Sequence, residues 1–528
     1  MTNICQPIVD VAQKHPEHLA LQAPHSLDHG RGLSFQEFFS HASHFQHQLT
    51  QAGFVAGDRL LVIIQPGLVL YPLLIAILGL GLVPVMLERG LSKKQLREIL
   101  RRSKLSAVIT QPTLGKFWFL IPELWRLRRF VIGQRIWGMK ALETPSQHLS
   151  LNSFICRDLP LDTTGLITFT SGSTGIPKGA NRTHDSLLAQ LDAITALFSE
   201  GKSEIDLHSF PVMVLHSLCC GNSSILPDFD FAHPATVDPQ KIVRQVQDNG
   251  VTCLSGAPAY MSKVTGYAKN KGLSFPNVRT VIVGGAPANK ALLENCLTVF
   301  PHARHLVVYG STEVEPISTV EMTTQLNHWA AHDGYLVGKP VTQAEICIRE
   351  ITANPQQIIP LPAGNAGEIL VAGPHVLKDY IDNPQATKEN KLPRKQGGIW
   401  HCTGDVGYLD TTGQLWLLGR VKDKVVLDDG RIIHPYVLEK RINELPEVTQ
   451  NAFVLHPLGG AALILESATL PTDLPAILDE LDLTRVTRIY YINSIPVDIR
   501  HNSKINRIAL INMLAKGQLS SVPHKEKL

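Results

Sequence analysis

Gly165-Leu-Ile-Thr-Phe-Thr170 leads straight into Ser171-Gly-Ser-Thr-Gly-Ile-Pro-Lys-Gly179. The first part is a short apolar run of strand type; the second is a turn of glycines, hydroxyl residues and one lysine. Gly172, Gly175 and Gly179 let a backbone approach a polyphosphate, Thr170, Ser171, Ser173 and Thr174 offer donors, and Lys178 offers charge. The GxxxxGK[ST] spacing of a P-loop is missing. The strand in front and the Lys-Gly behind set the stretch apart from an ordinary flexible turn.

Outward from this point, similar apolar runs recur at 60–64, 83–87, 107–110, 251–256, 280–285 and 305–310, each followed by a turn or a helix-like segment. That alternation predicts α/β architecture with largely parallel, buried strands. Nothing between Arg59 and Glu88 is charged, a length that invites a membrane span. Pro66, Gly67, Pro72, Gly79, Gly81 and Pro84 divide it instead into strand, buried helix and strand. After Gly419 the texture changes: residues 420–435 read as a hairpin turning at Asp429-Gly430, followed by a helical segment and two strand-like pieces. The expected organisation is a large N-terminal domain of layered sheets and helices, residues 1–419, and a small mobile α+β domain, residues 420–528.

With 528 residues, 44% hydrophobic and 18% charged, the chain is long enough for more than one core. A formal charge of +3 argues against a nucleic-acid partner, and no long basic run with interleaved aromatics is expected. The eight cysteines form no CxxC pair, which suits a reducing cytoplasm better than a disulfide framework. The first ten residues have neither a basic leader nor an apolar run, so no signal peptide is expected, and no transmembrane segment.

Further motifs follow in order: Gly284-Gly-Ala-Pro287, Tyr309-Gly-Ser-Thr-Glu313, His401-Cys-Thr-Gly-Asp405, Gly419-Arg420 and Ser503-Lys504-Ile-Asn-Arg507. Singly each has an ordinary reading as a turn, a helix start or solvated surface. As a set spanning more than three hundred residues, together with the 170–179 loop, they resemble the superfamily of acyl-CoA synthetases, luciferases and peptide-synthetase adenylation domains. The resemblance implies ATP and Mg²⁺ as cofactors. It implies that Thr170 to Gly175 and Lys178 hold phosphates, with Thr170 and Lys178 also catalytic. Gly285 and Ala286 would pack against adenine, with Tyr309 stacking on it, while Gly310, Ser311 and Thr312 complete the nucleotide site. Asp405 and Arg420 would contact the ribose. Glu313 would hold the metal, Lys504 would be the catalytic lysine of the small domain, and Lys422 the hinge. His216, Gly284 and Gly310 fall where the family has its acyl pocket. Two departures are visible: 428–430 carries an extra residue, and Val437 replaces a common acidic residue, although Glu439 is kept.

A carboxylate that attacks an α-phosphate brings anion to anion, so catalysis must screen charge and align the displacement, without a nucleophilic side chain. No Asp stands where an α-amine would be bound, which favours a hydrophobic, fatty or hydroxy-fatty acid. The acyl group is expected to pass to CoA or to an acyl carrier protein. Residues 65–71, 225–242 and 496–505 more specifically resemble the β-lactone synthetases of bacterial olefin biosynthesis, where the substrate's own β-hydroxyl is the acceptor. Residues 88–94 and 309–316, with Glu315 near the pocket, depart from that group. A third alternative is an inactive adenylate-binding protein, against which the intact Lys178, Glu313, Asp405, Arg420 and Lys504 weigh.

Overall fold

The computed structural model describes residues 3–87, 91–144, 150–170, 177–198, 204–231, 236–485, 487–498 and 504–521. The uncharged stretch folds as expected. Strand Arg59–Ile63 and strand Val83–Leu87 are parallel neighbours, joined through helix Leu70–Gly79, every residue of which is buried. A Cβ on Gly79 would lie 2.6 Å from the Ile155 carbonyl oxygen, so glycine is required where the helix end meets that backbone. Among the described residues no helix is long and apolar enough to cross a membrane.

These two strands belong to a seven-stranded sheet. Its order is Lys140–Leu142, Arg128–Ile132, Ala107–Thr110, Arg59–Ile63, Val83–Leu87, Thr164–Thr170 and Lys178–Thr183. All neighbours are parallel except the last pair, a hairpin in which Thr170 faces Lys178. A fourteen-stranded sheet carries the rest of the large unit. Its centre is parallel: strands Arg304–Ser311, Thr280–Gly284, Cys253–Gly256 and Ile205–His208 lie side by side. The middle two are buried at every residue, as strands covered on both faces must be. From Arg304–Ser311 onward the sheet turns antiparallel, through Val314–Glu321, Tyr335–Pro340, Leu415–Arg420 and Ile399–Leu409.

Beyond Arg420 a short hairpin pairs Val425–Val426 with Ile432–Ile433, turning at Asp429-Gly430. A separate four-stranded sheet follows. Its strands Gln450–Leu455 and Ala461–Glu466 alternate faces. Phe453, Leu463 and Leu465 pack with Leu438 and Ile442 of helix Pro435–Ile442, while Ala452, Val454 and Ile464 pack with Leu510 and Leu514 of helix Arg507–Ala515. The smaller unit is thus an α+β layer with its own core. It meets the larger one where Lys440 Nζ donates to the Trp329 carbonyl at 2.5 Å and Trp329 Nε1 donates to Glu444 at 2.6 Å.

Candidate active site

Parallel strands deliver the first group of residues. Gly284 lies opposite Val308 in adjacent strands, so 285–286 and 309–313 emerge at the same carboxyl edge, where open α/β sheets receive ligands. A Cβ on Gly284 would stand 3.0 Å from the Val308 oxygen, and Gly285 has a φ of +89°, so both glycines are set by the backbone. The next strand returns antiparallel with Ser311 opposite Val314, which leaves Thr312 and Glu313 at the tip. Gly310 is the close-approach point of that reversal: a Cβ would meet Glu315 Cα and the Val314 oxygen at 3.2 Å. The tip is fastened by Arg182, which donates to the Thr312 carbonyl at 2.7 Å.

Tyr309, Asp405 and Arg420 come together from three strands. The Tyr309 hydroxyl donates to Asp405 Oδ2 at 2.6 Å, and Arg420 Nε lies 2.8 Å from Oδ1. Asp405 and Arg420 are register partners, so the sheet itself fixes this pair. Burial and the adjacent Asp405 charge push the Tyr309 phenol well above its ordinary pKa, so it stays a donor at neutral pH.

Glu313 has a second cluster around it, which the motifs do not announce. Tyr380 donates its hydroxyl to Glu313 Oε1 at 2.7 Å. Lys178 Nζ lies 5.3 Å from the Tyr380 ring centre and Lys391 Nζ 5.5 Å from it. Lys391 sits in strand Lys391–Pro393 opposite His401, only 6% exposed, and its ammonium finds no hydrogen-bond partner among the described residues. Burial works against the Glu313 charge, but His401, Lys391 and the Tyr380 hydrogen bond outweigh it and bring its pKa to about 2. Burial pulls Lys391 down to about 8, against the pull of Glu313, and His401 to about 3, so at neutral pH Lys391 is the cation of this pair. Ser311 Oγ is a further buried atom without a hydrogen-bond partner among the described residues.

The other expected residues are placed as follows. Thr170 ends its strand in register with Lys178, and Ser171, Gly172, Ser173, Thr174 and Gly175 lie outside the described residues. Lys504 is exposed, its backbone N–H donating to Asp498 Oδ1 at 2.8 Å. Lys422 is exposed in the single turn Val421–Asp423. The turn is tied to the small unit through Asp423, 3.4 Å from Arg507 Nε, and Arg507 also makes two hydrogen bonds to Glu439 at 2.6 and 2.8 Å. His216 is a packed residue: it stacks on Phe198, its Nε2 lies 3.2 Å from Thr195 Oγ1, and burial lowers it to about 4, leaving it neutral. Beside it lies a buried polar group unseen in the sequence, Asp206, His208 and Cys253, with donor atoms within 4.8 Å of one another. Ser255 and Asn222 hydrogen-bond its edges.

A parallel sheet with an acidic–aromatic–arginine cluster and a lysine-flanked glutamate at its carboxyl edge defines a nucleotide-dependent, adenylate-forming enzyme. Residues 8–381 match the AMP-binding enzyme family, and the chain belongs to it: an ATP-dependent acid ligase that forms an acyl-adenylate. It is 29% identical to the olefin beta-lactone synthetase of Stenotrophomonas maltophilia over 537 residues, covering 96% of each chain. The olefin beta-lactone synthetase of Xanthomonas campestris is likewise 29% identical with 96% coverage of each. A putative acyl–CoA ligase of Bacillus subtilis is 24% identical over 83% of this chain and 84% of its own. The solved amide bond synthetase of Marinactinospora thermotolerans superposes with a TM-score of 0.79 at 20% identity, covering 96% of this chain and 98% of its own, and shares the fold.

Proposed function

We propose that this enzyme adenylates a hydroxylated fatty acid and closes the product to a β-lactone. The observation that supports the second step is the likeness to two olefin beta-lactone synthetases, which extends over 96% of the chain and so includes the small unit. Adenine and ribose would lie against Gly285, Ala286, Tyr309, Asp405 and Arg420. The polyphosphate would extend toward Lys178, Glu313 and Lys391. The Lys391 ammonium and the Ser311 hydroxyl, without hydrogen-bond partners among the described residues, fit an anionic ligand there. Glu313, charged at any physiological pH, fits a hard dication. Magnesium bound at Glu313 would neutralise phosphate charge.

The chain's own residues do the rest. Lys178 and Lys391 flank the same aromatic ring and would receive the charge of departing pyrophosphate. Tyr380 holds Glu313 in place while doing so. Residues 1–419 and 420–528 act as the two domains, with Lys422 as hinge, so that Lys504 serves adenylation and then withdraws. The substrate's β-hydroxyl then attacks its own acyl carbonyl, the acyl–phosphate bond breaks with AMP leaving, and the hydroxyl proton passes to water. An intramolecular nucleophile has a large effective concentration and needs no thiol.

The second reading, transfer to CoA or a carrier thiol, is favoured by the acyl–CoA ligase among the relatives and by the departure of residues 88–94 and 309–316 from the β-lactone synthetase pattern. Product analysis by mass spectrometry, with ATP and 3-hydroxy or unsubstituted fatty acids, with and without CoA, separates the two. A product lighter than the acid by one water, with AMP release indifferent to thiol, supports lactone formation. AMP release that requires CoA would replace it by the thioester route.

A further inference from the structure

Contrary to the expectation that no long basic run is interleaved with aromatics, residues 116–140 are one: KFWFLIPELWRLRRFVIGQRIWGMK. Between Leu91 and Lys140 there are twelve lysines and arginines against two glutamates, in a chain whose formal charge is only +3. The rest of the molecule is acidic enough to hide this in the total.

The structure gathers these residues at the edge of the seven-stranded sheet, around strands Arg128–Ile132 and Lys140–Leu142. The surface is built rather than loose. The Arg129 guanidinium covers the Trp118 ring at 4.2 Å, Trp137 stacks on the same ring, and Trp118 Nε1 donates to the Trp137 carbonyl at 3.0 Å. Trp125 Nε1 donates to the Phe119 carbonyl at 3.1 Å. Leu124, Leu127 and Phe130 anchor the segment in the core. With the Trp118 and Trp125 indole N–H groups bonded within the segment, apolar surface is left outside: Trp137 is 83% exposed, Leu120 62%, Trp125 59% and Phe117 57%, with Leu114 and Phe119 beside them. Single exposed apolar side chains are ordinary, but a cluster of six large ones marks an interaction surface.

Charge selects the partner. The two glutamates are already engaged, Glu123 by Arg97 and Arg101 and Glu98 by Arg102. Lys93, Lys94, Lys116, Arg126 and Arg135 of the same segment are exposed, whereas Arg128 is turned to Phe54 and Asp58. A second copy of this face would repel the first. A nucleic acid or an acidic protein would satisfy the cations but leave the leucines and phenylalanines in water. An anionic bilayer satisfies both: aromatic and leucine side chains enter the headgroup–acyl boundary while lysine and arginine stems reach lipid phosphates.

We propose that residues 91–140 dock the enzyme on an anionic lipid bilayer, with Phe117, Leu120, Trp125 and Trp137 inserted and the surrounding lysines and arginines on the headgroups. The docking does not depend on which acyl acceptor the enzyme uses, and it would bring the adenylating site to acids that partition into lipid.

The full-length enzyme should be sedimented with vesicles of phosphatidylcholine alone and of phosphatidylcholine mixed with phosphatidylglycerol. Binding to the mixed vesicles, falling with added salt as screening requires, is expected, with a blue shift of tryptophan emission. The pair Leu120→Ser and Trp137→Ser, and separately Arg126→Glu with Arg135→Glu, should each lower partitioning at least about tenfold. Melting temperature and adenylation of a short, water-soluble acid should not change. No sedimentation with anionic vesicles at low salt overturns the proposal. So does binding that both variant pairs leave intact, capture of RNA or DNA without vesicle binding, or a dimer that Trp137→Ser dissociates.

Discussion

Tyr309 and Asp405 are joined by a 2.6 Å hydrogen bond although 96 residues separate them, and Arg420 holds the opposite carboxylate oxygen. In the site proposed, ribose hydroxyls would share this carboxylate. Asp405→Asn keeps the shape but removes the charge that Arg420 faces. Affinity for AMP and for ATP should fall together, by about 10- to 100-fold, the scale of one charge-assisted hydrogen bond. Calorimetric titration with AMP measures it. An unchanged affinity would place the ribose elsewhere.

Glu313→Gln should lower turnover and raise the Mg²⁺ concentration needed for half-maximal rate, because an amide is a poor ligand for a hard cation. Tyr380→Phe removes only the 2.7 Å hydrogen bond to the carboxylate. It should give a smaller loss, about tenfold, that added Mg²⁺ partly restores. If both variants keep the wild-type Mg²⁺ dependence, the metal does not sit at Glu313.

Lys391→Met tests the buried ammonium beside the same glutamate. ATP affinity and inhibition by pyrophosphate should weaken about tenfold or more, whereas AMP affinity should hold, since AMP lacks the β- and γ-phosphates. Lys391→Arg should restore part of the loss. Lys178→Met in the same series shows whether the polyphosphate lies here at all. A loss in Lys178→Met without one in Lys391→Met would remove only the second lysine from the site.

Much of this was legible in the sequence because it depends on local patterns. Buried strands of a parallel sheet must be apolar throughout, so runs such as 280–285 stand out, and Gly284 and Gly310 are demanded by backbone approach. Lys391 could not be read that way. Its surroundings, 383–398, are polar and rich in lysine, proline and glycine, and resemble solvated loop. Its burial comes from pairing with His401 and from Tyr380 above it, contacts that no local period encodes. Tyr380 likewise reaches Glu313 from 67 residues away. The aromatic surface at 116–140 was hidden for a different reason: a whole-chain charge averages over a molecule whose charges are segregated.

Arg507→Met addresses the small unit. Arg507 donates to both oxygens of Glu439, and both side chains are less than a tenth exposed. Removing one partner strands a buried carboxylate, which typically costs about 3–5 kcal/mol. The small unit should unfold at lower denaturant than in the wild type, and at lower denaturant than the large unit. Glu439→Gln with Arg507→Met should recover part of the loss, because the orphaned charge is then gone. A double variant no more stable than Arg507→Met would mean that the pair contributes by packing alone.

Lys504 and Lys422 test the proposed cycle, and the two must be read together. Lys504 is exposed in the small unit with its backbone held by Asp498, while Lys422 lies in the single turn between Arg420 and Asp423. If Lys504 is brought to the phosphates only for adenylation, Lys504→Ala should lower acyl-AMP formation by about 10²–10³, as loss of one preorganised charge does, and leave ATP affinity nearly unchanged. Supplied with pre-formed acyl-adenylate, that variant should still complete the second step at the normal rate. Lys422→Pro fixes φ at the joint and should give the reverse, normal adenylation with acyl-AMP accumulating in single turnover. Rapid-quench measurement of both half-reactions in both variants distinguishes a moving lysine from a static one. Equal slowing of the two steps in Lys422→Pro, with a lowered melting temperature, would assign residue 422 to folding and leave the small unit without a demonstrated swing. Normal acyl-AMP formation in Lys504→Ala would remove the lysine from the chemistry altogether.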